Sequence, residues 1–123
     1  MGKIEAFSYA MPGAMGAPGE IILIDSELKV IETNISSIEK ETDDQSLIKI
    51  INSSEQRVLG GDDSIDDWRS AYLGMGNFLF VRDDYFEDFK SLSTKKGIKT
   101  PYELYRNWMN LIKEILKEHK QWK

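Results

Sequence analysis

The chain has 123 residues and 14.1 kDa, with 41% hydrophobic and 30% charged residues, which predicts one globular domain over 1–123 and excludes a disordered acidic tail. There is no cysteine, and His119 is the only histidine, which removes disulfides, thiolate nucleophiles, cysteine-bound metal centres and any multi-histidine site within one chain. The net charge of −5 is unevenly spread: residues 39–88 carry thirteen acids against five bases, and residues 89–123 carry three against nine, so the acidic middle repels phosphate and a nucleic-acid partner is not expected.

Residues 3–9 alternate in polarity, with aromatic residues at Phe7 and Tyr9, and predict a first strand. Residues 10–19 hold three glycines and two prolines and predict a loop. Ile21-Ile22-Leu23-Ile24, the polar Asp25-Ser26-Glu27 and the β-branched run to Thr33 predict a hairpin with strands near 20–24 and 28–33. In 43–52, Asp43 and Asp44 before Leu47 favour a short helix, although Ile48, Ile50 and Ile51 suit a strand equally well. Ile65, Trp68, Ala71 and Tyr72 are spaced like one helical face, and Leu73-Gly74-Met75-Gly76 interrupts any helix.

Residues 77–82 give the strongest strand signal, apolar on both faces and therefore central in a sheet. Residues 84–92 predict a helix with Tyr85, Phe86, Phe89 and Leu92 inward. Thr100-Pro101-Tyr102-Glu103 has the capping-box pattern, with proline at the first helical position. Tyr105, Trp108, Met109, Ile112, Ile115 and Leu116 then recur every three or four residues, an amphipathic helix over about 101–119. No apolar run approaches the ~18 residues that span a bilayer. The acid in Met1-Gly2-Lys3-Ile4-Glu5 argues against a signal peptide, so no membrane partner and a cytoplasmic location are expected.

Few residues point to chemistry. The glycines at 13, 16 and 19 lack the following helix and the Lys-Ser/Thr pair of a phosphate cradle; a connector is the simpler reading, with Met11 and Met15 as adaptable apolar contacts if exposed. Asp62, Asp63, Asp66 and Asp67 form adjacent doublets around Ile65, whereas a calcium loop alternates its carboxylates and ends on a bidentate acid about twelve residues on. Acids at the start of a helix are an alternative account of that cluster. His119 sits in the last turn of the final helix among lysines, where a cation is welcome without any catalytic duty. No enzyme activity, metal or cofactor is expected.

The segment from Trp68 through Leu73-Gly74-Met75-Gly76-Asn77 into the apolar strand, followed by an aromatic helix and a final amphipathic helix, loosely resembles small bacterial immunity proteins, the inhibitors encoded beside contact-dependent or polymorphic toxins. The resemblance covers about residues 62–119 and implies a small cytoplasmic protein that blocks one cognate toxin domain, with no catalytic residues to carry over. Many such toxins are nucleases with basic clefts, so the expected contact surface is acidic: Asp62, Asp63, Asp66 and Asp67, with Asp83, Asp84, Glu87 and Asp88. A non-enzymatic accessory domain, such as a mobile-element protein, and a small-molecule-binding module are the alternatives. The expected fold is α+β, an antiparallel sheet of about four strands (near 3–9, 20–24, 28–33 and 77–82) with two or three helices on one face. Phe78, Phe80, Tyr105, Trp108, Met109, Ile112 and Leu116 are its expected core, joined by Trp68 and Phe89.

Overall fold

The computed structural model describes residues 2–10, 19–52, 64–65 and 67–121. The strands are β1 (Ile4–Ala10), β2 (Glu20–Asp25), β3 (Val30–Asn34), the two-residue β4 (Ser64–Ile65), β5 (Trp68–Gly74) and β6 (Asn77–Arg82). The helices are α1 (Ile38–Glu41), α2 (Gln45–Asn52), α3 (Asp83–Lys95) and α4 (Pro101–Gln121). The fold is α+β, and every strand pairing is antiparallel, in the order β3-β2-β1-β6-β5-β4. Two meanders, β1–β3 and β4–β6, are thus joined by the pairing of β1 with β6.

The expectation of about four strands is corrected to five full strands and the short β4, because the segment around Trp68 is a strand rather than a helical face. A spacing of 65, 68, 71 and 72 fits a helix on paper. However, the turn that follows delivers this segment directly to the strongest strand in the chain. Gly74, Met75 and Gly76 all have positive φ (89°, 50° and 77°), and Met75-Gly76 closes a two-residue hairpin of the primed type, whose twist matches its strands. Asn77 Nδ2 donates to Gly74 O at 2.9 Å and braces the turn. With β6 as its neighbour, β5 adopts period-2 alternation: Trp68 faces one side of the sheet, Arg69, Ala71 and Leu73 the other.

The helices also cover both faces, not one. Phe7, Leu23, Ile31, Trp68, Phe78 and Phe80 pack against Ile38 of α1 and Leu47, Ile48, Ile50 and Ile51 of α2. On the opposite face Ala6, Ile24, Leu79 and Val81 pack against Phe86 and Phe89 of α3 and Trp108, Ile112 and Leu116 of α4. A strand that is apolar on both sides requires this arrangement, since each large aliphatic or aromatic side chain left in water forgoes ~1.5–3 kcal/mol. Of the expected core, Trp68, Phe78, Phe80, Phe89, Trp108, Ile112 and Leu116 are buried and Met109 is partly so. Tyr105 is the exception at 50% exposure: the buried stripe of α4 runs through Leu104, Trp108, Leu111, Ile112 and Ile115, and Tyr105 lies at its margin, beside Ser8, Ala10 and Ile22 of the sheet.

At the start of α4, Thr100 Oγ1 accepts the Glu103 amide at 3.1 Å, as the capping pattern predicts, while the Glu103 carboxylate accepts from the Thr100 hydroxyl at 3.1 Å. The helix expected within 43–52 is α2. Asp44 caps it, its Oδ1 accepting the Leu47 amide at 3.2 Å. The loop read at 10–19 lies outside the described residues over 11–18, including Met11 and Met15.

Candidate functional site: an acidic end of the sheet centred on Arg82

One end of the sheet is organised by a buried arginine. Arg82 ends β6 and falls in register with Phe78 and Phe80, so its side chain enters the face lined by Phe7 and Trp68. It is 4% exposed. A buried guanidinium needs both charge compensation and hydrogen-bond acceptors, and three segments supply them. Nε donates to Ile4 O at 2.9 Å, Nη1 to Asp67 Oδ2 at 2.6 Å, and Nη2 to Asp44 Oδ2. The guanidinium carbon also lies 3.8 Å from the Trp68 ring centroid, a stacked cation–π contact. Trp68 Nε1 in turn donates to Ser46 Oγ at 2.9 Å, and Ser46 Oγ donates to Asp44 Oδ1 at 2.8 Å. This closed network pins α2 and residue 67 to the ends of β1 and β6.

Burial alone would raise the Asp44 carboxyl. The bonds from Ser46, the Leu47 amide and Arg82, with the arginine's charge, outweigh it and hold Asp44 below its ordinary 3.8. On the other face, a β-bulge between Ile4 and Ala6 turns Glu5 inward, where it is 6% exposed. Burial, with the Glu5 hydrogen bond and the charges of Glu5 and Asp84, pushes the Tyr85 phenol up to about 12.

Five of the eight expected contact residues lie among those described. Asp67 and Asp83 are brought together, Asp83 N donating to Asp67 O at 2.8 Å. Asp83 and Asp84 begin α3, and Glu87 and Asp88 follow one turn on, all of them exposed. Asp67 pairs with Arg82, Asp83 with Arg69 at 3.4 Å, and Asp88 with His119 at 3.0 Å. Asp84 and Glu87 make no ion pair with another described residue. Asp62, Asp63 and Asp66 lie outside the described residues. Lys96, just past α3, pairs with Glu114 at 3.1 Å rather than with this group.

Further acids gather nearby without having been expected as part of the site. Glu39, Glu41 and Asp43 line a hollow beside Asp44 at the start of β1, along with Lys3 and Lys40. The signal for Arg82 was present in the sequence as period 2: residues 78, 80 and 82 share a face, so an arginine there needs buried carboxylates. Which carboxylates answer it depends on tertiary contacts 15 and 38 residues away. Among the described residues, no group of three or more acids or histidines is placed to hold a metal, and no helix is long and apolar enough to cross a membrane. No family model, curated protein or solved structure matches the chain.

Proposed function

We propose that the chain is a binding protein that neutralises a cognate toxin domain, presenting the acidic end of its sheet to a basic surface. The observation that supports this reading is that Arg82 ties Asp44 to Asp67. The acidic starts of two helices, at 43–44 and 83–84, therefore share one end of the sheet. Asp84 and Glu87 add exposed charge that no described cation pairs. Such a field speeds encounter with a positively charged cleft and, once docked, occupies the place of an anionic substrate. The carboxylates sit on a sheet and helix that are already packed, so little ordering is needed on binding.

The test is recovery of the tagged chain from its own cells with its bound proteins, followed by kinetics. A single stoichiometric basic partner, released at high salt, is the expected result. Asp84→Asn with Glu87→Gln should slow association at low salt and flatten its salt dependence while the fold persists. Absence of any specific partner, or an unchanged association rate in the double variant, would refute the proposal.

A further inference from the structure

The outer face of α4 gathers aromatic and basic side chains that the fold itself does not use. The helix buries Trp108, Leu111, Ile112 and Ile115. On its other side Tyr102, Arg106, Asn110, Lys113 and Lys117 follow at steps of three and four residues, and no position on that line is acidic. Tyr102 is 67% exposed, and the Arg106 guanidinium carbon stands 5.8 Å from its ring centroid. Arg106 and Lys117 are exposed, Lys113 is half-buried, and none of the three makes an ion pair with another described residue. An adjoining line carries the acids of the helix, where Glu103 accepts from Thr100 and Glu114 pairs with Lys96. On the other flank, Glu20 lies beyond Tyr105. These acids border the basic line without interrupting it.

We infer that this face binds single-stranded nucleic acid, with phosphates at Arg106, Lys113 and Lys117 and a base stacked on Tyr102. Cations in a row along about 16 Å of helix suit a chain of phosphates. An exposed ring beside them suits a base free of its partner strand, since every base has a face to stack. A duplex would offer the phosphates alone, and an acidic protein segment the charge without the bases. The acidic middle of the sequence argues against a phosphate partner, but its described acids gather around the end of the sheet where Arg82 lies. Tyr102 lies at the opposite end: a Cβ on Gly74, in the β5–β6 turn, would stand 3.8 Å from Pro101. The face therefore shares no residue with the acidic surface proposed above, and either can fail alone.

The test is fluorescence anisotropy of a labelled single-stranded oligothymidylate titrated with the full chain at low salt. An abasic strand of equal length, polyglutamate and anionic vesicles are the controls. Saturable binding is expected, with log affinity falling against log salt at a slope of about −2 for three cations at ~0.7 each. Lys113→Gln with Lys117→Gln should bring that slope to about −0.7. Tyr102→Ala should weaken oligothymidylate about tenfold, the scale of one stacked base, while leaving the slope and the abasic strand unchanged. Tyr102→Phe should retain binding, and far-UV circular dichroism would verify that each variant is folded. No binding, equal affinity for the abasic strand or polyglutamate, a preference for vesicles, or an unchanged affinity in the folded lysine or Tyr102→Ala variants would each overturn the inference.

Discussion

Replacing Arg82 with methionine tests whether the buried network holds the sheet to α2. Methionine keeps much of the apolar stem over Trp68 and removes three hydrogen bonds, to Ile4 O, Asp67 and Asp44. Bonds to charged groups contribute ~1.5–3 kcal/mol each. The Asp67 carboxylate is 57% exposed, and solvent screening reduces its share to a few tenths. The Asp44 carboxylate is 20% exposed, so its bond and the one to Ile4 O carry the effect. Breaking a buried pair from one side typically costs ~3–5 kcal/mol. Asp44 keeps its bonds from Ser46 and Leu47, so we expect about 3 kcal/mol, or roughly 10–15 °C in Tm for a chain of this length.

Urea unfolding of Arg82→Met, Asp44→Asn and the double variant would isolate the pair as a coupling energy. A pH series adds a second readout. The folded-state value of Asp44 is depressed, so its contribution is fully present above the unfolded value near 3.8 and is lost as pH falls through the folded one. Stability should therefore fall below about pH 4, with a shallower slope in Asp44→Asn. A loss under about 1 kcal/mol in Arg82→Met would show that the network is incidental to stability.

Two further outcomes are expected. Trp108→Ala should cost about 3–5 kcal/mol in the same urea assay, because the ring is 3% exposed between α4 and the sheet; a change below about 1 kcal/mol would place it outside the core. In a spectrophotometric titration Tyr85 should ionise late, and Tyr85→Phe should remove its share of the late absorbance change. Tyr85's folded value is raised, so the stability it contributes is complete below about pH 10 and lost as pH rises toward 12. A late absorbance change that Tyr85→Phe leaves intact would remove Glu5 and Tyr85 as a buried contact.

The elements most legible in the sequence were those whose signals are local. α4 declared itself by Thr100, Pro101 and Glu103 at its start and by a long stripe, and β6 by an unbroken apolar run. β5 was misassigned because Trp68, Ala71 and Tyr72 satisfy a helical period, and only the Gly74-Met75-Gly76 turn, with its partner strand, decides the matter. That turn was visible as a helix interruption, but its hairpin meaning lies in positive φ at successive residues. Tyr105 shows the converse: it belongs to the stripe by spacing, but the docking of α4 centres the buried face on Leu104, Trp108 and Leu111 and leaves Tyr105 at its margin. At the acidic end, the carboxylates were legible as composition. Their division between internal pairs and exposed charge was not, since it depends on where Arg69, Arg82 and His119 come to lie.

That division bears on function. Asp67, Asp83 and Asp88 each contact a cationic or ionisable partner that fixes their position. They tie residue 67 to β6, the start of α3 to β5, and α3 to the end of α4, and their charge is partly cancelled where it stands. Asp84 and Glu87 stand on the same rigid helix, which begins directly from β6, yet no described cation cancels them. The first turn of a helix offsets part of the cost of two adjacent aspartates through the dipole, worth ~0.3–1 kcal/mol each when exposed. Glu87, a turn further along, gains less from this. Arg82, buried and spent on Asp44 and Asp67, offers no compensation at the surface. The fold thus uses its arginines to position the acidic end and leaves Asp84 and Glu87 exposed, with no ion pair among the described residues.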